Sequence, residues 1–260
     1  SRGLGDVYKR QIFNSVQANT ITLAFEKAFS IDRTILGVIL SVMTAVIIFG
    51  GVKRIAQFVE YIVPIMAVAY VIVALIVIVK NFNHIPAVFS QIISGAFGFN
   101  QAVGGGIGAV IMQGVKRGLF SNEAGSGSAP CAAAAAVSDN PVKVGLTQAL
   151  GVFIDTLMIC SCTAMIMLLT PTSLTKGLVG MDLLQKAMEY HLGTFGVIFI
   201  AITLWLFSFS TFIGILFYAR SNVAYLFGDN WFSQTAYKVL ALVMLFVGGL
   251  ATYTIVWDLG

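Results

Sequence analysis

The chain has 260 residues, of which 58% are hydrophobic and 10% are charged, and its mean hydropathy is +0.92. Soluble domains carry about a quarter of their residues as Asp, Glu, Lys and Arg, so this composition excludes an ordinary soluble protein and predicts an all-α, polytopic membrane protein. The net charge of +4 comes from basic residues scattered singly or in pairs between apolar blocks, which excludes the continuous basic surface of a nucleic-acid-binding protein.

Both ends of the chain look artificial. Residues 1–11, SRGLGDVYKRQ, are polar and run into an apolar segment without a signal-peptide pattern. We interpret them as a non-native segment derived from a sequencing adapter and exclude them from the fold. The other end stops at Gly260, just as a span finishes. We therefore expect residues 12–260 to be an internal fragment of a longer membrane protein.

Five apolar blocks are close to the length of about 20 residues that a helix needs to cross a bilayer. They cover residues 34–50, 60–79, 143–169, 194–219 and 236–257. Residues 13–29 resemble the outer part of a further helix, and residues 85–118 form a long span interrupted by glycines. The sequence therefore predicts about seven spans, one of them partial and one broken.

The connections between the spans carry two further signals. Met181, Leu184, Met188 and Leu192 recur at helical spacing, which predicts an amphipathic helix that lies at the surface and caps the outer mouth. Taking the loop after residue 50 as cytoplasmic puts seven loop cations on that side and five on the other, which favours this orientation by the positive-inside rule. The seven are Lys53, Arg54, Lys116, Arg117, Lys143, Arg220 and Lys238.

Three cysteines, Cys131, Cys160 and Cys162, are an odd set in apolar surroundings. Neither histidine lies near them at metal-ligand spacing, so we interpret them as packing residues and predict no disulfide and no metal other than sodium.

The interrupted span contains three consecutive glycines, Gly104, Gly105 and Gly106. Each weakens a helix by about 1 kcal/mol, so they can break the span near mid-membrane. A half-helix starting at Ile107 would then direct its free N–H groups at a carboxylate, with Ile107 and Ile111 as walls of a pocket. The alternative is that the glycines only permit close helix packing.

The block GVKRGLFSNEAGSGSAP, residues 114–130, allows two placements. In the first, the span ends at Gly118 and the block is a cytoplasmic re-entrant turn, followed by a short helix that begins near Ser128. In the second, Ser121, Asn122 and Gly125 line the pocket directly. The first is favoured because the second places the cations before Gly118 inside the bilayer.

A gate can be predicted within this block if the first placement holds. Glu123 would then be an inner gate or the anchoring partner of Arg117 rather than a general acid.

Asp155 is the one carboxylate clearly inside a span. It follows the start of that span by about a dozen residues, or ~18 Å, which places it near the midplane. A carboxylate at this depth predicts a functional role, here binding the coupled cation or balancing the charged site. The alternative is a structural hydrogen bond to Thr156, Ser161 or a neighbouring helix.

Phe207, Ser210 and Thr211 fall at positions i, i+3 and i+4 and therefore share one helical face. Two hydroxyls and a carbonyl freed at one turn form an oxygen cluster of the kind that a hard cation needs. The alternative is that the hydroxyls bond back to carbonyls of the preceding turn. Ser208 adds a hydroxyl on a different face.

Six segments together resemble the bacterial and archaeal alanine or glycine:cation symporter family, in the same order from about residue 12 to the end. They are FNSVQANT (13–20), GVKRGLFSNEAGSGSAP (114–130), the alanine run with SDNPV (132–142), LGVFIDT (150–156), FSFSTFIG (207–214) and VWDL (256–259).

The resemblance implies a partial leucine-transporter-like inverted-repeat fold that lacks its first helices and its C-terminal end. It implies that Gln17 lines a substrate pocket, although an interhelical hydrogen bond is the alternative. Asn14 and Asn19 rank lower because they do not both share its face.

The same resemblance implies sodium ligands from the Phe207 carbonyl and from Ser210 and Thr211, with Thr211 also facing the substrate. Ile215 stands where the family often has Trp, so the pocket floor differs.

We therefore predict a non-enzymatic carrier that couples Na⁺ to a small neutral amino acid, alanine or glycine, across a prokaryotic cytoplasmic membrane. It needs no cofactor besides the coupling ion, and its partners are the substrate, Na⁺ and the bilayer. A glutamine carrier of the same family and an ion channel remain as alternatives. An intramembrane protease is disfavoured because no Ser/His or paired-Asp arrangement lies at membrane depth.

Overall fold

A computed structural model describes residues 2–50, 53–97, 112, 114–115, 118–119, 121–122, 128–136, 138 and 140–252. Every regular element among these residues is helical, in agreement with the predicted all-α class. In chain order the helices are α1 (Arg2–Phe29), α2 (Arg33–Gly50), α3 (Lys53–Lys80), α4 (Ile85–Phe97), α5 (Ser128–Ala135), α6 (Pro141–Phe153), α7 (Cys160–Leu168), α8 (Thr172–Thr175), α9 (Gly180–Leu192), α10 (Thr194–Phe227) and α11 (Trp231–Leu250). A 3-10 turn occupies Phe82–His84, and a π-helical segment, Ile154–Ile159, joins α6 to α7.

Four helices of the described part are long and apolar enough to cross a membrane. They are Glu60–Lys80 within α3, the continuous Pro141–Leu168, α10 and α11. Helix α2 is apolar but shorter. The prediction of a multi-pass membrane protein is therefore confirmed, while the inverted-repeat architecture stays a prediction.

The boundaries differ most from the predicted ones at the last two spans. The prediction 236–257 is wrong at both ends, because α11 begins at Trp231 and ends at Leu250. Ala251 turns to an extended conformation, with φ −65° and ψ 161°, and so ends the helix. Helix α10 continues past the predicted residue 219 to Phe227, where Gly228 adopts a φ of +80°. Of the predicted span 85–118, α4 covers the first part.

The chain divides into two compact units, one with residues 1–68 and 179–260, the other with residues 69–178. In the first unit, α1 packs against α10 and α11, and α2 packs against α11. Ala18, Ile21, Phe212, Leu216 and Leu245 belong to its buried core. Helices that are far apart in the sequence thus share one core, which α1 cannot form with its sequence neighbour alone.

Polar side chains on one stripe of α1 hold the end of α11. The Asn19 amide donates to the carbonyls of Gly248 at 3.1 Å and Ala251 at 2.6 Å, and the Thr22 hydroxyl donates to the Gly249 carbonyl at 2.7 Å. The Arg33 guanidinium donates to the carbonyls of Gly249 and Ala251 at 2.8 and 2.9 Å. The last carbonyls of a helix have no intrahelical partner, so these bonds satisfy groups that burial would otherwise leave unpaired.

A close crossing of α1 and α11 needs Gly248. A Cβ atom at this position would overlap the backbone of Ser15, which cannot move aside as a flexible side chain could. The absence of a side chain lets the two helix backbones approach, as small residues do at helix contacts in membranes. The Ser15 hydroxyl donates to the Met244 carbonyl at 2.9 Å across the same contact.

Helix α9 confirms the predicted amphipathic segment but corrects its surroundings. Its apolar side chains, including Met181, Leu184 and Met188, are buried in the protein rather than lying at a membrane surface, and α9 packs against α10 and α1. The buried Gln185 amide donates to the Ala24 carbonyl at 2.8 Å. The helix is amphipathic because its apolar face packs against other helices.

The second unit contains the continuous helix Pro141–Leu168, in which the π-helical segment joins α6 to α7. Asn140 caps α6, since its side-chain oxygen accepts from the N–H of Val142 at 2.9 Å and of Lys143 at 3.4 Å, and Pro141 occupies the first turn. The Tyr70 and Thr163 hydroxyls lie 2.6 Å apart and join the end of α3 to α7. Both the Asn140 cap and the Pro141 ring favour a helix start at this position, two residues before the predicted start of the span at residue 143.

Candidate functional site

Asp155 lies at the second position of the π-helical segment, in the middle of the continuous helix Pro141–Leu168. The Cys160 N–H bonds to the Asp155 carbonyl, five residues back, instead of four as in an α-helix. Single π turns inside α-helices occur frequently at functional sites. The sequence predicted a carboxylate at this depth but gave no sign of the π turn.

Ser121 forms the first contact of this carboxylate. Its hydroxyl donates to Asp155 Oδ2 at 3.1 Å and lies 3.2 Å from Cys160 Sγ. Asp155 is exposed among the described residues, and this is the one side-chain hydrogen bond that the described residues give its carboxylate. Two predicted site residues, 34 positions apart, are thereby brought together. The bond does not involve Thr156 or Ser161, but it joins Asp155 to another helical segment, as in the alternative of a structural hydrogen bond to a neighbouring helix. A role for Asp155 in cation binding stays a prediction.

The Ser121–Asp155 bond bears on the placement of the block 114–130. It sets Ser121 level with the middle of the Pro141–Leu168 helix, as expected if the block lines a pocket. The choice between the two placements stays a prediction, because much of the block, including Glu123 and Gly125, lies outside the described residues. The short helix predicted to begin near Ser128 is present as α5. Asn122 lies in the turn after Ser121, and its N–H donates to the Gly118 carbonyl at 3.1 Å.

The surroundings of Asp155 offer a further oxygen atom. The Thr156 hydroxyl is buried and has no hydrogen-bond partner within the described part of the chain. Carboxylate and hydroxyl oxygens are the ligand types that hard cations take in proteins. The π-helical segment therefore carries a carboxylate and a hydroxyl, two ligand types that a sodium site can use, at consecutive positions in the middle of one helix.

Phe207, Ser210 and Thr211 lie inside α10, in the other compact unit. The Ser210 hydroxyl donates to the Phe207 carbonyl at 2.8 Å. Contrary to the expectation of a carbonyl freed at a turn, α10 is an unbroken helix through these residues. The bond back to the preceding turn is present for Ser210, but no described hydrogen bond involves the Thr211 hydroxyl. Ser210 and Thr211 are half-buried, whereas Ser208 is buried.

The predicted substrate residues of the first unit lie on α1 and α10. Gln17 is half-buried on α1, and Ile215 is buried on α10. Asn14 is fully buried, and both polar atoms of its side chain lack a hydrogen-bond partner among the described residues. Sequence reasoning ranked Asn14 below Gln17, and burial of an unpaired amide makes it the stronger candidate for a missed site residue.

The Asn19 side chain forms hydrogen bonds with the C-terminal end of α11. Ser15, Asn19 and Thr22 follow each other at i, i+4 and i+7, which is a polar stripe on one helical face. This spacing is the signal from which the contact could have been predicted.

Eight of the predicted site residues lie outside the described residues, so their roles stay predictions. They are Gly104, Gly105, Gly106, Ile107, Ile111, Arg117, Glu123 and Gly125.

Comparison with known proteins points to one family. A sequence profile described as the sodium:alanine symporter family matches residues 7–260. The chain is 48% identical over 248 residues to the probable sodium/glutamine symporter GlnT of Bacillus subtilis, covering 95% of this chain and 52% of that protein. It is 43% identical over 249 residues to the amino-acid carrier protein AlsT of the same organism, covering 95% of this chain and 53% of AlsT.

An archaeal relative is similar over the same extent. The sodium/alanine symporter AgcS of Methanococcus maripaludis is 36% identical over 250 residues, covering 95% of this chain and 55% of AgcS. The chain thus spans about half the length of these curated relatives.

Proposed function

Because this chain belongs to the sodium:alanine symporter family, we propose that it is part of a carrier that moves Na⁺ together with a small neutral amino acid by alternating access. The family is one of transporters rather than enzymes. The relatives place such proteins in bacteria and archaea, so we infer the cytoplasmic membrane of a prokaryote as the location. The observation that carries the proposal is the profile match over residues 7–260.

We propose alanine or glycine as the substrate and glutamine as the alternative. The relatives whose names state a substrate are divided between alanine and glutamine, so they do not select one. Ile215 is buried on α10, and it is smaller than the Trp that the family often has there, so this position gives no preference for alanine over the larger glutamine. The Gln17 amide can donate to a substrate carboxylate or accept from an ammonium group.

Two regions are proposed to hold the coupled cation. One is the π turn, where Asp155 supplies a negative charge and Ser121 fixes its orientation. The other is α10, where the Phe207 carbonyl and the Ser210 hydroxyl already lie 2.8 Å apart and the Thr211 hydroxyl is on the same face. A Ser hydroxyl that donates its proton keeps lone pairs, so it can still face a cation.

Coupling to sodium supplies enough free energy for accumulation. One Na⁺ that moves down a tenfold gradient and a potential of 100 mV releases about 3.7 kcal/mol. At one ion per substrate, this sustains a concentration ratio of about 500. A channel could not keep the substrate concentration above its equilibrium value, so accumulation of substrate distinguishes a coupled carrier from a channel.

Counterflow tests the carrier and its substrate. Liposomes that contain the full-length protein carrying this sequence, loaded with unlabelled alanine, should transiently accumulate labelled alanine from outside in the presence of Na⁺. A carrier exchanges internal unlabelled alanine for external labelled alanine in this way even without a Na⁺ gradient, whereas a channel only equilibrates the label. We expect external glycine to compete and glutamine to compete weakly. Stronger competition by glutamine than by alanine would establish the alternative substrate.

A further inference from the structure

A cavity of about 40 Å³ lies between α2, α10 and α11, in the first compact unit. It opens beside the end of α2 and the beginning of α11. Arg220, Gln234 and Lys238 line it together with apolar side chains that include Ile47, Ile213 and Phe217. Its volume accommodates about three water molecules, or the anionic part of a larger molecule whose remainder stays outside.

Two cations face this cavity without a neutralising carboxylate. Arg220 is exposed, and no described residue forms an ion pair or hydrogen bond with it. Lys238 Nζ lies 4.8 Å from the centroid of the Phe49 ring, a contact that leaves its charge in place. No lining residue is acidic. The like charges of Arg220 and Lys238 therefore favour an anion between them.

Gln234 distinguishes this cavity from an ordinary pair of interfacial cations. Basic side chains near helix ends commonly extend to the membrane surface and need no ligand. Gln234, however, is only 8% exposed, and neither its Nε2 nor its Oε1 atom has a hydrogen-bond partner within the described part of the chain. Buried polar groups are almost always hydrogen-bonded, so an amide directed into the cavity indicates a missing polar partner.

The order of side chains along the cavity matches an amphiphile. Arg220 lies seven residues before the end of α10, or about 10 Å from it along the helix axis. Phe217 and Ile213 lie about one and two turns further from that end, and Phe217 is 40% exposed. Charged groups therefore surround the outer part of the cavity, and apolar groups surround its inner part. A phospholipid, which has a charged headgroup and apolar chains, needs both kinds of surroundings, whereas a free anion needs only the charged ones.

We propose that this cavity binds the phosphate of an anionic phospholipid between Arg220 and Lys238, with Gln234 donating to a phosphate oxygen. The acyl chains lie along the apolar surface next to Phe217. Basic pockets between transmembrane helices on the cytoplasmic side bind such headgroups, and the distribution of loop cations predicts that this end is cytoplasmic. The residues that line this cavity do not include Asp155, Phe207, Ser210 or Thr211.

The test measures binding of phosphatidylglycerol to the purified full-length protein by native mass spectrometry, with phosphatidylcholine as the neutral lipid. Each basic residue near a membrane surface contributes a factor of about five in affinity. Arg220→Gln or Lys238→Gln should therefore weaken phosphatidylglycerol binding about fivefold, and the double variant about thirtyfold. Lys143→Gln, an exposed lysine outside the cavity, is the matched control and should bind as the parent does.

A second variant neutralises the two cations with a carboxylate of the protein itself. Gln234→Glu places a carboxylate beside both cations and should abolish the preference for phosphatidylglycerol, while the thermal midpoint measured in phosphatidylcholine stays at or above that of the parent. Unchanged phosphatidylglycerol binding in the Arg220→Gln/Lys238→Gln variant would overturn the proposal. So would competition by millimolar inorganic phosphate that matches the lipid, because the ligand would then be a soluble anion.

Discussion

Asp155→Asn in the full-length protein that carries this sequence should remove most of the stimulation of amino-acid uptake by Na⁺. The amide has the shape of the carboxylate and still accepts the Ser121 hydrogen bond, but it lacks the negative charge that a cation needs. Interactions with charged groups are worth about 1.5–3 kcal/mol, so the half-saturating Na⁺ concentration should rise about tenfold to a hundredfold. Uptake of labelled alanine at a series of Na⁺ concentrations measures this shift.

Ser121→Ala is the matched control for this variant, because it removes the hydrogen-bond donor and leaves the charge. We expect it to raise the half-saturating Na⁺ concentration only a few-fold, since the carboxylate stays but loses its fixed orientation. If Asp155→Asn transports with unaltered Na⁺ dependence and rate, the carboxylate only anchors the Ser121 segment and has no part in coupling.

Thr211→Val should raise the half-saturating Na⁺ concentration several-fold with little effect on the amount of folded protein. Valine keeps the branched shape of threonine and deletes the oxygen, and no described hydrogen bond of Thr211 is lost. The loss of one neutral ligand should cost less than the loss of the Asp155 charge. The same uptake series measures it, and the substrate KM at saturating Na⁺ shows whether Thr211 also contacts the amino acid.

Ser208→Ala is the control on α10. Ser208 carries a hydroxyl three residues from Thr211 but is buried at 3% exposure, whereas Thr211 is half-buried. Its substitution should leave the Na⁺ dependence unchanged. A Thr211→Val protein with the Na⁺ affinity and substrate affinity of the parent would show that α10 does not hold the ion.

Local patterns in the sequence predicted the helices because each is long and apolar. Composition and the apolar blocks sufficed for the spans within α3, Pro141–Leu168 and α10. The end of α11 escaped prediction because the apolar pattern continues past Leu250. The helix stops there because Asn19 and Arg33, more than 200 positions away in the sequence, bond its last carbonyls. The polar stripe of Ser15, Asn19 and Thr22 indicates that α1 has a polar contact face, but it does not identify the end of α11 as the partner.

The sequence indicated which residues belong to the candidate site, but it did not indicate which of them contact each other. A carboxylate in a span singles out Asp155, since such a residue is costly in a membrane. Its contact with Ser121 depends on how the segment around residue 121 packs against the helix, which residue spacing does not encode. The π turn likewise requires one more residue than a helical turn, and the apolar sequence around it gives no sign of this insertion.

Simultaneous measurement of Na⁺ and amino-acid flux tests the proposed coupling most directly. Liposomes containing the full-length protein receive labelled Na⁺ and labelled alanine together, and both uptakes are followed over the same seconds. We predict that alanine stimulates Na⁺ entry, that the two initial rates keep a fixed ratio as alanine is varied, and that Asp155→Asn lowers both. Alanine uptake that continues at the same rate without Na⁺, or Na⁺ entry that ignores alanine, would contradict sodium-coupled symport.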